Sequence, residues 1–185
     1  MARIIALAGS PREKNGHTWE LLREFTKGVE SRGGDVKVYN LNDPGFRGCQ
    51  GCFYCRTHDG CGVEDYFSPF YDEIGDATGV VFASPIYFAQ ISGQAKMGID
   101  RLFPMLDGKS FSPRYPGKRA VTLFSQGDSS AGRFLPAVEM VHGFLKVFGW
   151  KVEENILCSG VSAPGYKIPE QTLRQAYASG EMLAG

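Results

Sequence analysis

The chain has 185 residues, with 20 Lys and Arg against 20 Asp and Glu, and therefore a formal net charge of zero. This length suits one domain with a substantial hydrophobic core. The balanced charge, without long runs of one sign, argues against nucleic acid or an anionic membrane as a partner. The first apolar run is too short for a signal peptide and no apolar stretch is long enough to span a bilayer, so we expect a cytoplasmic protein.

Strand and helix patterns alternate along the chain, which predicts a parallel sheet with helices on both faces. Short apolar runs predict five strands, at Arg3–Ala8, around Val36 and Val38, at Val80–Ala83, at Arg119–Ser125 and at Lys151–Cys158. Amphipathic stretches predict five helices, at about Gly16–Arg32, Tyr66–Asp76, Ser92–Phe103, Ser130–Phe148 and Glu170–Leu183. Pro136 should bend or delay the fourth helix, because proline lacks the amide that a helix interior needs.

The segment between the first strand and the first helix is rich in groups that can donate hydrogen bonds to a phosphate. These groups belong to Ser10, Arg12, Asn15, Gly16, His17 and Thr18. Hydroxyls and amides at the start of a helix favour an anion, and the spacing is not the G-x-G-x-x-G of a dinucleotide site. The alternative is an ordinary strand-to-helix turn, capped by Asn15 or Thr18.

Two further polar segments follow predicted strands, at the edge of the sheet where ligands collect. Ser84, Pro85, Ile86, Tyr87 and Phe88 follow the third strand, and Ser125, Gln126, Gly127 and Asp128 end the fourth. Tyr87 or Phe88 offers an aromatic face to a planar ring, or fills a hydrophobic corner or a subunit contact. Asp128 either contacts a ligand or caps the next helix. Lys96 and Asp100, four residues apart, predict an intrahelical ion pair.

Four of the five cysteines, Cys49, Cys52, Cys55 and Cys61, lie within one glycine-rich loop. Their spacing is close to that of the compact runs that ligate iron-sulfur clusters. Two alternatives remain, which are a structural zinc held by four thiolates and a reduced loop that holds no metal. Cys158 stands apart and is expected to be a buried core residue.

These motifs together resemble the flavodoxin-like NAD(P)H-dependent FMN reductase family. The resemblance is carried by the loop Gly9-Ser10-Pro11-Arg12 with Asn15 and Thr18, by Ser84-Pro85 with Tyr87, and by Lys96 with Asp100 and Arg101. The cysteine spacing resembles the iron-sulfur flavoprotein branch, which carries a [4Fe-4S] cluster beside FMN. His17 replaces a more usual serine or asparagine, and Gly62 stands where bacterial ferredoxins have a proline.

The resemblance implies an α/β fold, a three-layer flavodoxin-like sandwich over residues 1–185 with strand order 2-1-3-4-5 and a cysteine-rich loop at about 45–62. It implies an FMN-dependent oxidoreductase that binds FMN through the three polar segments above and holds a cluster through the four cysteines, with no catalytic side chain required. The expected partners are a ferredoxin-like donor or NAD(P)H, a small-molecule or protein electron acceptor, and a second or further copies in a homodimer or homotetramer. The alternatives are an NAD(P)H-dependent FMN or quinone reductase without a cluster, and a zinc-stabilised binding module.

Overall fold

The computed structural model describes residues 1–13 and 15–185, and its secondary structure alternates as the sequence predicts. The strands are β1 (Arg3–Ala8), β2 (Asp35–Asn40), β3 (Gly79–Tyr87), β4 (Gln90–Ile91), β5 (Arg119–Gln126) and β6 (Lys151–Cys158). The α-helices are α1 (His17–Ser31), α2 (Phe70–Glu73), α3 (Gly93–Asp100), α4 (Leu135–Val147) and α5 (Glu170–Ala184). Short 3-10 turns lie at Tyr54–Arg56 and Phe103–Met105.

The strands form one sheet with the order β2-β1-β3-β5-β6, and all neighbours along this path are parallel. This confirms the predicted order 2-1-3-4-5, because β5 and β6 are the predicted fourth and fifth strands. The short β4 adds an antiparallel pairing to the end of β3. Since all five main strands run in one direction, the loops that follow them leave the sheet at a common edge.

The sheet is buried on both faces, as the three-layer prediction requires. Along β1, Ile5 and Leu7 join the hydrophobic cluster on one face, while Ile4 and Ala6 join the cluster on the other. Side chains alternate between the faces of a strand, so a run that is apolar throughout fits only a strand covered on both sides. Helices α3 and α4 contribute to the first cluster and α1 and α5 to the second.

Helix α1 packs tightly against α5 on the second face. Its Leu21, Phe25 and Val29 are fully buried, and each such side chain contributes roughly 1.5–3 kcal/mol through the area it removes from water. The two helices approach closely at Gly28 and Gly180. A Cβ at Gly180 would overlap the carbonyl oxygen of Phe25, so the contact requires a residue without a side chain.

The helix predicted over Tyr66–Asp76 is limited to the single turn of α2. Just before this turn, side chains form hydrogen bonds with backbone amides that a longer helix would use. Asp65 accepts a bond from the Phe67 amide (2.9 Å), and Ser68 accepts one from the Asp65 amide (2.8 Å).

Helix α4 begins at Leu135, which places Pro136 in its first turn and confirms the predicted delay. None of the helices within residues 1–13 and 15–185 combines the length and apolar character of a membrane span.

We expect Gly180→Ala to lower the free energy of unfolding by about 1–3 kcal/mol, because α1 and α5 must separate to admit the methyl group. The matched control is Gly143→Ala in α4, where no atom lies within 4 Å of the added Cβ. The control should raise stability by about 0.5–1 kcal/mol, as alanine does in an exposed helix. Urea unfolding of both variants measures this, and equal effects of the two substitutions would contradict the packing argument.

Candidate functional site

A cleft of about 360 Å³ opens where the loops after β1, β3 and β5 meet. Its volume lies within the range of small-molecule sites. The predicted site residues that line it are Ser10, Arg12, Gly16, His17, Thr18, Pro85, Ile86, Tyr87, Phe88, Ser125 and Gly127. The three segments that the sequence analysis singled out therefore form one concave surface.

The loop after β1 is held in a compact shape by hydrogen bonds between side chains and its backbone. The indole Nε1 of Trp19 donates to the Ser10 carbonyl (2.9 Å), and the Arg12 amide lies 3.4 Å from the Ser10 hydroxyl. Gly16 is the N-cap of α1 and supplies no side-chain cap to the first-turn amides of the helix. A Cβ at Gly16 would overlap the Arg12 carbonyl oxygen, so the close turn requires glycine. The beginning of α1 thus offers backbone amides to an anion in the cleft.

One buried hydrogen bond joins this loop to the end of β5. The hydroxyls of Thr18 and Ser125 lie 2.7 Å apart, and both residues are buried. Ser125 pairs with Pro85 in the parallel register, which brings the β3 loop to the same place. The bond therefore fixes the position of the start of α1 relative to the sheet edge.

The rim of the cleft carries a tight hairpin between β3 and β4. Its two central residues, Phe88 and Ala89, have φ values of 51° and 64°, in the left-handed region that favours glycine. Holding non-glycine residues there costs of order 1 kcal/mol each. The hairpin leaves the Phe88 side chain fully exposed and Tyr87 43% exposed, so two aromatic faces stand beside the cleft.

Four predicted site residues do not line the cleft. The Ser84 hydroxyl is fully buried and donates to the Pro85 carbonyl (2.8 Å), while Asn15 is exposed. Gln126 is buried and its Nε2 donates to the Ser130 carbonyl (2.7 Å). Asp128 accepts a bond from the Ser130 amide (2.8 Å) in a local turn, and it does not cap the next helix as its alternative role predicted, because α4 begins at Leu135 with Phe134 as its N-cap.

The sequence analysis missed Val161 and Ser162, which complete the wall of the cleft. They lie in the loop after β6, and the Ser162 hydroxyl donates to the Gly127 carbonyl (2.8 Å). The Val161 amide donates to the Gln126 carbonyl (3.1 Å). The predicted parallel sheet could have indicated these two residues, because its last strand must also end at this edge.

The cleft region contains polar atoms that protein groups do not satisfy. Among the described residues, the buried His17 Nδ1 and Gln126 Oε1 have no hydrogen-bond partner. The nearest carboxylate oxygen to His17 Nδ1, on Glu20, is 3.6 Å away, and its ring packs edge-on against Tyr166. Buried polar atoms without partners are costly and mark places where a ligand or water supplies the missing bond.

The cysteine-rich loop follows β2, beside β1 at the same edge of the sheet. Its four cysteines, Cys49, Cys52, Cys55 and Cys61, are among the residues that line one small cavity of about 20 Å³. Burial raises the pKa of the Cys55 thiol, and its three neighbours add to the rise. Within residues 1–13 and 15–185, no three His, Cys, Asp or Glu side chains are arranged to share a single metal ion.

Cys158, the pair Lys96 and Asp100, and His142 make contacts within the fold, away from the cleft. Cys158 is buried as predicted, and burial raises its pKa to about 11. Lys96 and Asp100 form the predicted ion pair (2.6 Å) on the exposed face of α3. His142 contacts the Thr122 hydroxyl (3.0 Å), and burial lowers its pKa.

The comparisons with known proteins agree with this architecture. The sequence pattern of the family described as NADPH-dependent FMN reductase matches residues 2–148. An iron-sulfur flavoprotein of Archaeoglobus fulgidus is 29% identical over 158 residues, covering 83% of this chain and 79% of that protein. An iron-sulfur flavoprotein of Methanocaldococcus jannaschii is 28% identical over 145 residues, covering 78% of this chain and 72% of that protein. The NAD(P)H:quinone oxidoreductase from Methanothermobacter marburgensis superposes with a TM-score of 0.73 at 21% identity, covering 100% of this chain and 96% of that chain, and so shares the fold.

We expect Gly16→Ala to weaken FMN binding by about tenfold or more, equal to about 1.4 kcal/mol, because the added methyl displaces the Arg12 carbonyl and distorts the turn. The matched control is Gly93→Ala in α3, where the added Cβ has no atom within 4 Å. Titration of FMN with each protein, followed by the quenching of flavin fluorescence, gives both dissociation constants. If both variants bind FMN as the unmodified chain does, the loop after β1 does not hold the phosphate.

Proposed function

Because this chain belongs to the NADPH-dependent FMN reductase family, we propose that its sheet-edge cleft binds FMN and that its cysteine loop holds a [4Fe-4S] cluster which exchanges electrons with it. The protein is an FMN-dependent oxidoreductase. The observation that carries the finer proposal is that the FMN cleft and the four thiols occupy loops after neighbouring strands of one parallel sheet. Residues 1–185 then act as one FMN-binding domain.

The loop after β1 suits the phosphate end of FMN. Ser10 and Thr18 supply hydroxyls, the first turn of α1 supplies backbone amides, and Arg12 supplies a positive charge. A phosphate dianion is favoured at a helix start, where amide donors and the helix dipole act together. His17 lines the same part of the cleft.

The segments after β3 and β5 suit the ring end. Pro85 and Ile86 give an apolar floor, and the exposed Tyr87 and Phe88 give aromatic surfaces at the rim. When bound, FMN supplies hydride and single-electron chemistry. The chain's own residues orient the ring and exclude water from one side of it, and none is needed as an acid or base.

The cysteine loop fits an iron-sulfur cluster through its donor set. Four thiols line one cavity, which opens beside a larger surface cleft of about 420 Å³ that Cys49 and Cys55 also line. Cys49 and Cys52 are exposed, so the cysteine site is open to solvent on one side. A tetrahedral zinc site would draw on the same four cysteines around a single ion, so the metal content of the protein distinguishes the two.

Electron supply follows from this arrangement. A cluster in the exposed cysteine loop is accessible to a one-electron protein donor of the ferredoxin type, whereas the open cleft is accessible to a nicotinamide or another planar two-electron substrate.

The predicted homo-oligomer could form through exposed aromatic side chains, and Phe53, Tyr54 and Tyr66 are exposed. Three aromatic residues of the same stretch of sequence, Phe46, Phe67 and Phe70, are buried in the core.

Anaerobic purification in the presence of FMN, iron and sulfide tests both cofactors. We expect stoichiometric FMN with stoichiometric iron and acid-labile sulfide, and reduction of the flavin absorption band by NADPH or by a reduced ferredoxin. Flavin without iron would favour the reductase that lacks a cluster. Zinc without flavin would favour the binding module and overturn the proposal.

We expect Cys61→Ser to abolish stable binding of iron and sulfide while FMN stays bound, because a cluster needs four thiolate ligands. The matched control is Cys158→Ala, which removes a buried thiol outside the loop and should leave the iron content unchanged. Iron, sulfide and flavin assays on both purified variants measure this. If Cys61→Ser retains its iron, the loop does not bind the cluster through this set of cysteines.

A further inference from the structure

Arg101, at the end of α3, is a charged residue with no solvent exposure of its side chain. All five of its side-chain N–H groups have acceptors in the structure. Nε donates to the Tyr71 hydroxyl (3.1 Å), and Nη1 and Nη2 each donate to one carboxylate oxygen of Asp65 (2.7 and 3.1 Å). The remaining two go to the carbonyl oxygens of Arg47 (2.6 Å) and Val63 (3.2 Å).

The two carbonyl acceptors bracket the cysteine run. Arg47 lies two residues before Cys49, and Val63 lies two residues after Cys61. Asp65 also accepts a bond from the Arg47 amide (2.8 Å), so both charges of the buried pair bind the beginning of the loop. One planar guanidinium thereby joins the two ends of the loop at fixed separation.

The same guanidinium lies at the candidate cluster site. Arg101 lines the small cavity together with all four cysteines. Although burial alone would raise the pKa of Asp65, its hydrogen bonds from Arg101 hold that pKa below the usual value, so the pair stays ionised. Stability does not explain such a pair, because well-packed apolar side chains of similar size often stabilise a core equally well.

We propose that Arg101 is a positioning residue for the cluster, which holds both ends of the cysteine loop so that the four thiols face one cavity. The proposal rests on the proposed [4Fe-4S] site. Because its five donors are already used, Arg101 acts through the loop backbone and Asp65 and through its fixed charge, without a bond of its own to a ligand. Lysine at this position would keep the charge but could not provide the five planar N–H donors of the guanidinium.

The test compares Arg101→Met, Arg101→Lys and Lys118→Met, each reconstituted anaerobically with FMN, ferrous iron and sulfide. Lys118 is the matched control, since it is also a buried cation and donates to two backbone carbonyls, those of Gly75 (3.3 Å) and Ala77 (2.7 Å). It does not line the cysteine cavity. The readouts are FMN, iron and sulfide content, the rate of iron loss to a ferrous chelator, and the cluster reduction potential by redox titration.

We expect both Arg101 variants to lose iron about tenfold faster than the unmodified protein, since outer partners of metal ligands have effects of this size. FMN content should be unchanged, and Lys118→Met should behave like the unmodified protein. The cluster potential should fall in Arg101→Met, where a positive charge is lost, and stay close to the original in Arg101→Lys. A purely structural residue would not separate the two variants in this way.

Four outcomes would overturn the inference. The first is an Arg101→Met protein with unchanged iron release and potential, and the second is equal loss of iron in Lys118→Met. The third applies if Arg101→Met does not fold: Arg101→Lys then decides, and iron release at the original rate in that variant overturns the positioning role of Arg101. The fourth is an unmodified protein that binds FMN but no cluster, which refutes the proposed cluster itself and the inference with it.

Discussion

The hydrogen bond between the Thr18 and Ser125 hydroxyls is the contact on which the shape of the sheet-edge cleft depends. It joins two segments that are 107 residues apart in sequence, at a point from which water is excluded. A buried hydroxyl that loses its partner costs about 1–3 kcal/mol, so the start of α1 is held in one position relative to β5. The parallel register between β3 and β5 then sets where Pro85 lies. The loop after β1 and the loop after β3, to which we assign the phosphate and the ring of FMN, are therefore positioned by the same contact.

Much of this arrangement follows from local sequence patterns. The strand bounds Arg3–Ala8 and Lys151–Cys158 match the prediction residue for residue, because each is a short run that ends in glycine or polar turn residues. The convergence of the polar segments after β1, β3 and β5 also follows from sequence, since a parallel sheet brings the ends of its strands to one edge. These features are decided by local sequence patterns and by the rule that parallel strands end at one edge of the sheet.

The features that escaped prediction depend on contacts that sequence does not display. β3 was expected to end at Ala83 but continues to Tyr87 through Pro85. The Ala83 carbonyl faces β1 and accepts the Gly9 amide, so the missing amide of Pro85 falls on the side where β1 has already ended. The hairpin to β4 also escaped prediction, because it lacks the glycine or asparagine that usually marks such a turn. Phe88 and Ala89 adopt the left-handed backbone conformations in their place.

Lys96, Asp100 and Arg101 lie close together in sequence, yet their side chains make different kinds of contact. Lys96 and Asp100 lie on the exposed side of α3 and pair with each other, where an ion pair contributes little to stability. Arg101, one residue further, points into the protein and meets Asp65, which is 36 residues earlier in the chain. Helical spacing predicts the first pair but carries no information about the second. Because the loop from Arg47 to Val63 has few buried side chains of its own, its shape depends on residues outside it, and Arg101 is the one that joins its two ends.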